Sequence, residues 1–346
     1  MSASPTPAAL LDRQASVLRT QLGGVYDGDI EAVHNARVAT RRIRELLTLV
    51  PMIPGRDCED DAAAGYADIG RALGRVRDID VQIALITEIE AHAYQTAPSL
   101  VLVRQDHEGD RLVQMRRLIK TLERLKVDAL LHVVSDGHPA GLRTRLTSAG
   151  WRAQLRHLVL ERARVAVDRV AHATGVYFPN RVHSARIAIK RLRYAAEIVE
   201  ATGLSDIGSA IKTLSKAQTI LGDLHDRQAL ADRLLGYQKH DGVEAEHLKA
   251  TRHVLAEEVR EMHAKYLDRR SSVRAACAEL EHLASHTARH ARALAIGGTL
   301  AATGLVCIRW ALADQRRGAH QATAPPDTAV AVDPAPAARP RAATSA

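Results

Sequence analysis

Aromatic side chains are almost missing from this chain, with one Phe, two Trp and seven Tyr among 346 residues. Single-stranded nucleic-acid platforms stack bases on such rings, so their scarcity argues against that class. It also disfavours a β-sandwich, which draws on β-branched and aromatic strands, whereas Leu, Ile, Val and Ala suit packed helices. Cysteine is sparse as well. Cys58, Cys277 and Cys307 are odd in number and lack CxxC spacing, which reads as a reduced compartment without structural zinc. The start, MSASPTPAALL, has no basic region followed by an apolar one, so no secretion signal is expected. Catalytic signatures are absent too: there is no Walker loop, GxSxG, HExxH or Arg-His-Gly cluster. The expectation is a protein that is not an enzyme, with no catalytic residue, no cofactor and no metal.

What is present is positive charge in a repeated pattern. The formal net charge is +8 and the pI about 9.6, which implies anionic partners without saying which. The segment 33–50, VHNARVATRRIRELLTLV, returns as 182–199, VHSARIAIKRLRYAAEIV, with eight of eighteen aligned positions identical. The chain is therefore an internal duplication. At about 100° per residue, His34, Arg37, Arg41 and Arg44 share one arc of a helix, opposite Ile43, Leu46, Leu47 and Val50. In the second copy His183, Arg186, Lys190 and Arg193 share the arc, opposite Leu192, Ala195 and Val199. Arg42 and Arg191 sit on the flanks.

Like charges one turn apart cost a few tenths of a kcal/mol per pair, so an anionic ligand should compensate for them. A single charge run is usually a solvated face, but its return in register at a distant position argues against that. A second matched pair follows each basic helix: Leu73 to Asp78, LGRVRD, and Leu221 to Asp226, LGDLHD. Gly74 and Gly222 lie inside apolar-periodic segments, which points to helix-crossing points. Arg77 beside Asp78 reads equally as a structural ion pair or a ligand contact. Asp78, Asp80, Asp223 and Asp226 sit beside basic residues, where ion pairing accounts for them.

The paired patterns VHxxRVxxRRIR with LGxxRD and VHxxRIxxKRLR with LGxLHD resemble the CHAD domain, the conserved histidine α-helical domain family. The resemblance spans roughly residues 10 to 285. It implies an all-α fold of two pseudo-symmetric antiparallel four-helix bundles around a basic central groove or pore that binds inorganic polyphosphate. A CYTH-type triphosphate tunnel domain often precedes such a module; no ExExK motif marks one here.

Along the chain, a short helix is expected from Leu10 to Leu22, ending at Gly23-Gly24, and Asp29 is the N-cap of the first basic helix. Helices follow at 62–93 and 100–134, then a turn-rich divider at 135–150. The second half carries helices at 151–174, 182–199 and 205–237, with a last helix or helix pair at 243–283. The domain halves are thus 10–140 and 150–285. Residues 291–313 form an apolar helix with two readings, a membrane anchor or an association segment built on small residues. Residues 314–346 are an Ala- and Pro-rich tail expected to be disordered.

Arginine meets closely spaced anionic oxygens with a planar fork of donors that stays charged at physiological pH. Five basic positions per copy suit a polyanion better than one small phosphate. The candidate polyphosphate-binding residues are His34, Arg37, Arg41, Arg42, Arg44, His183, Arg186, Lys190, Arg191 and Arg193. Arg71, Arg152, Arg156, Lys212 and Lys216 are flank candidates, Arg152 and Arg156 being one turn apart and able to face one groove. His34 and His183 either donate to the anion or fix a helix end within the bundle. The expected function is non-catalytic scaffolding or targeting at cytoplasmic polyphosphate granules. The alternatives are a nucleic-acid-binding protein using the same groove and, third, an enzyme acting on phosphoanhydrides.

Overall fold

The computed structural model describes residues 5–49, 57–92, 97–135, 150–239 and 243–321; side chains beyond 285 lie outside that description. Among the described residues every regular element is helical. The first half holds α1 (Pro7–Tyr26), α2 (Ile30–Leu47), α3 (Asp57–His92), α4 (Ala97–Arg124) and α5 (Val127–Ser135). The second holds α6 (Trp151–His172), α7 (Pro179–Ala201), α8 (Gly208–Leu234), a 3-10 turn (Leu235–Lys239) and α9 (Ala245–Gln321).

Capping chemistry sets the start of the first basic helix. The Asp29 carboxylate accepts the Ala32 N–H at 2.7 Å, satisfying a donor that the first turn of α2 leaves free. α1 does not stop at Gly23-Gly24 but runs on to Tyr26. A Cβ at Gly24 would lie 2.7 Å from the Ala32 Cβ, so glycine there permits α1 and α2 to touch rather than ending the helix. The turn between them needs glycine at Gly28, whose φ is +78°. The Gly28 carbonyl accepts from Arg111 Nη2 at 2.8 Å, and Arg111 Nε bonds Asp80 at 2.5 Å. That buried pair ties α3 and α4 to the entrance of α2.

The helix expected over 100–134 is two helices. Lys126 takes a left-handed φ of +48° between α4 and α5, so the chain turns although the apolar pattern continues across the break. α9 is one helix rather than a pair, and it continues beyond 283 through 291–313 as far as Gln321.

Each half packs in sequence order: α1 on α2, α2 on α3 and α3 on α4, then α6 on α7 and α7 on α8. The halves meet like against like. α2 touches α7 and α3 touches α8, so each element meets its own duplicate. The apolar sides of the basic helices serve the packing within each half: Val33, Ala36 and Ile43 of α2, and Ala185, Leu192 and Ala195 of α7, are all buried in one core. Burying such a Leu or Ile contributes about 1.5–3 kcal/mol, which fixes the rotation of each helix about its axis. A smaller core of Leu85, Ile86, Leu100, Leu230, Leu234 and Leu255 joins α3, α4, α8 and α9.

The compact unit holding these helices runs to Arg289, and His290–Ala346 form a second unit. Among the described residues no helix is long and apolar enough to cross a membrane. The side chains of 291–313, on which the anchor or association reading turns, lie outside the description, as do residues 322–346 of the tail. Residues 314–321 continue α9 as helix.

Candidate functional site

With their apolar sides buried within each half, α2 and α7 carry the half-buried middle of each basic arc, Arg37 and Arg41 on one and Arg186 and Lys190 on the other, at the junction between the halves. Arg41 of α2 reaches across to α7: Nη1 donates to the Tyr194 hydroxyl, and Cζ stands 5.3 Å from the centre of that ring. Lys190 lies in the same neighbourhood. Burial, followed by the charges of Arg41, Arg37 and Arg186, pushes its ammonium down to about 7. Burial also lowers the Arg37 and Arg186 guanidiniums, with Arg41 repelling both. Arg186 Nε is buried without a hydrogen-bond partner. Cations from two helices about 150 residues apart in sequence thus gather at one place, where the charge of Arg41 counts against those of Arg37, Arg186 and Lys190.

Two carboxylates temper the cluster without neutralising it. Asp78 of α3 stands 3.7 Å from Arg37 Nη2, but its side chain is 71% exposed, so water screens much of the attraction. Its partner is therefore Arg37 rather than the adjacent Arg77. Asp226 of α8 is held above the usual carboxylate range by burial, against the opposing pull of Arg186. The imidazoles lie at the edge. His183 and His225 face each other with ring centres 5.1 Å apart, and burial followed by Arg186 and His183 lowers His225. His34 is lowered by burial and then by Arg77, Arg37 and Arg41, so it gains a proton only below its ordinary range.

The remaining candidates divide. Arg44 extends the arc outward, lying beside Gly70, where a Cβ would be 3.4 Å from its Nη1; burial and the charges of Arg71, Arg41 and Arg191 lower it. Arg71 pairs with Asp68 on its own helix, and the Arg191 carbonyl accepts from Arg162 Nη1 at 3.0 Å. Arg193 is drawn off the arc: Nε donates to Gln218 at 2.9 Å, Nη1 to Glu197, and the guanidinium covers Tyr194 at 4.6 Å. Arg42 lines a different cavity of about 610 Å³ between α1, α2 and α7. Arg152 stacks on Trp151 at 4.8 Å, Arg156 is half-buried, and Lys212 and Lys216 are exposed on α8. None of these four is among the charges that dominate the central cluster.

Four contributors, Arg77, His225, Asp226 and Tyr194, were not among the expected binding residues. Arg77 and His225 occupy matching places in LGRVRD and LGDLHD, so the second motif carried a usable signal for both, and for Asp226. Tyr194 had none, because its counterpart in the first copy is Glu45. The glycines also differ from expectation. Gly74 gives Arg37 room, its absent Cβ lying 3.6 Å from Nε, whereas a Cβ at Gly222 would meet nothing within 4 Å. The side chain of Arg37, from the packed helix α2, uses the space at the first, and the space at the second is open.

Elsewhere, Ser99, His247 and Glu244 line up in outline like a hydrolytic triad, with Ser99 Oγ 3.1 Å from His247 Nδ1 and His247 Nε2 3.0 Å from Glu244. The Ser99 side chain is buried, however, and its oxygen accepts the Glu244 N–H at 3.1 Å. That geometry caps the start of α9 and offers no approach to a substrate. Among the described residues no three His, Cys, Asp or Glu side chains gather as a metal site.

Fold and site together define an all-α, internally duplicated helical module with a cationic cluster where its halves meet. The chain belongs to the CHAD domain family, whose profile matches residues 9–235. That family is linked to polyphosphate binding. Among solved structures, the CHAD domain from the plant Ricinus communis is 22% identical, with a TM-score of 0.58 over 80% of this chain and 93% of that one. PptA from Streptomyces chartreusis is 16% identical, with a TM-score of 0.55 over 77% of this chain and 99% of that one. At these identities the likeness speaks for the fold. No curated protein matches the chain significantly.

Proposed function

We propose that the cluster at the junction of α2 and α7 binds inorganic polyphosphate without processing it. The observation that carries this reading is the convergence of Arg37, Arg41, Arg186 and Lys190, where burial first and then the three guanidiniums bring the Lys190 ammonium down to about 7. Such mutual repulsion raises the free energy of the empty site, and a chain of phosphates relieves it. A polymer suits the geometry better than a single phosphate because Arg44, Arg71 and Arg191 continue the cationic path away from the centre. His34 and His183, exposed at its edge, flank it, while Arg152, Arg156, Lys212 and Lys216 would meet only the outer parts of a long chain. The helical module, read as 10–285, then acts as a cytoplasmic scaffold or targeting unit for polyphosphate granules.

The decisive test replaces Arg37, Arg41, Arg186 and Lys190 together with Ala. Retention of labelled long-chain polyphosphate should be lost while the helical circular dichroism stays near that of the unaltered chain. Unaltered protein should bind less tightly as salt rises, and the slope against salt should fall by roughly one for each cation removed. Collapse of the helical signal would make the arcs structural. Nucleic acid displacing polyphosphate, with no displacement in the other direction, would favour the nucleic-acid reading. Phosphate release by the pure chain with magnesium or manganese would overturn the non-catalytic part.

A further inference from the structure

Within the inward arcs the duplication is broken at one chemically important place: the position that is Arg41 in the first copy is Lys190 in the second. Arginine cannot be deprotonated in water, whereas a lysine that loses its proton becomes a nucleophilic amine. Lys190 is also half-buried on α7, one turn from Arg186 on one side and one turn from Tyr194 on the other, where Arg41 bonds the Tyr194 hydroxyl and stands 5.3 Å from its ring; the charge of Arg37 acts on it too. Guanidiniums attract phosphate wherever it is carried. The site therefore holds a phosphate-binding fork and a single amine side by side.

We propose that Lys190 is acylated by acyl phosphates, the mixed anhydrides of a carboxylic and a phosphoric acid, whose phosphoryl end is held by Arg37, Arg41 and Arg186. This rests on the same cluster as the polyphosphate reading and adds to it a means of regulation. The lone pair on Nζ attacks the carbonyl carbon. A C–N bond forms, the C–O bond to the phosphoryl group breaks, and its electron pair leaves with inorganic phosphate. The nitrogen's proton passes to the departing phosphate or to the imidazole of His225, which feels the Lys190 charge and is kept neutral by burial. Nothing is oxidised or reduced. The product is a neutral amide, so the cluster loses one positive charge and two of the three ammonium donors, which weakens its hold on a polyanion.

Burial and the neighbouring cations leave an appreciable fraction of Lys190 as free amine near neutrality. Other lysines are built differently. Lys249 is 71% exposed beside Glu246, and Lys265 is 63% exposed beside Glu261, so each stands in solvent against a carboxylate and lacks a phosphate fork. They serve as internal controls.

The test incubates the full chain with acetyl phosphate and follows acetylation of each lysine by peptide mass spectrometry. Lys190 should react at least about tenfold faster than Lys249 or Lys265, from positioning and amine availability combined. Excess orthophosphate should slow it selectively. Acetic anhydride, which carries no phosphoryl handle, should erase most of the preference. Lys190→Arg should remain unlabelled there, and its polyphosphate affinity, whatever its starting value, should not change on treatment, while that of the unaltered chain falls. Equal labelling of Lys190 and Lys249 overturns the proposal. Retention of polyphosphate without Lys190 labelling removes acylation and leaves the polymer reading. Protection by orthophosphate but not by long-chain polyphosphate supports acylation and removes the polymer reading.

Discussion

The two copies of the basic helix begin alike and finish differently. Through Arg37 and Arg41 on one side and Arg186 and Lys190 on the other, both send charge to the junction, with His34 and His183 at its edge. One turn later Arg44 stays with the cationic path, whereas Arg193 is engaged by Glu197 and Gln218. The reason is local. The residue after Arg44 is Glu45, which pairs with Arg162, while the residue after Arg193 is Tyr194, which receives Arg41 from the other copy and carries Arg193 on its face. The second copy thus anchors the junction, and the first supplies the longer run of available charge. A similar split appears below the helices. Asp80 of α3 forms a buried pair with Arg111, but its counterpart in α8 is Gln228, which accepts from Tyr177 at 3.4 Å.

The largest effect should come from breaking that last contrast. Asp80 is only 1% exposed at its side chain, and Asp80→Ala leaves the Arg111 charge buried without its carboxylate. The expected loss is about 3–5 kcal/mol of stability, measured by denaturant unfolding. Gln228→Ala should cost about 1 kcal/mol, since what is lost is a long neutral bond from Tyr177 and an exposed one to Asp232. Equal costs would mean that the two halves are braced in the same way.

Next in size is the asymmetry between Arg41 and Lys190. In the unfolded chain Lys190 has an ordinary value near 10.5, and in the folded protein about 7. Between those values the unfolded chain binds more protons, so folding stability should rise with pH across that window. Binding should run the other way. A bound phosphate chain favours the ammonium, so affinity is full below pH 7 and falls above it by up to about tenfold per unit. Melting temperature and polyphosphate affinity should therefore trend oppositely from pH 7 to 9, and Lys190→Arg should flatten both. Parallel trends would refute a shared origin at Lys190. Below pH 6.5 His34 and His225, both lowered, should add further binding as they take up protons.

The smallest contrast separates Arg44 from Arg193. Arg44→Ala should reduce polyphosphate affinity about three- to tenfold with little change in melting temperature. Arg193→Ala should instead cost about 1 kcal/mol of stability, its charge-assisted bonds being discounted for partial exposure, with little loss of affinity. A reversed outcome would show that Arg193 leaves Glu197 when ligand is present.

Much of this protein could be read before folding. The shortage of aromatics, the eighteen-residue duplication, the Asp29 cap and the apolar sides carrying Ile43, Leu46, Leu192 and Ala195 specify an all-helical, two-part molecule. The same patterns assign His34, Arg37, Arg41, His183, Arg186 and Lys190 to one arc each, because the helical period fixes every residue's direction relative to its own axis. What the period cannot express is the distance to another helix. Arg41 and Tyr194 are 153 residues apart in sequence, yet their contact joins the halves. Whether a guanidinium remains available, as in Arg44, or is spent on a neighbouring carboxylate, as in Arg193, depends on side chains that only packing brings near. So does the acidity of Lys190, since burial and repulsion act through space, and the space was made by two faces folding onto each other.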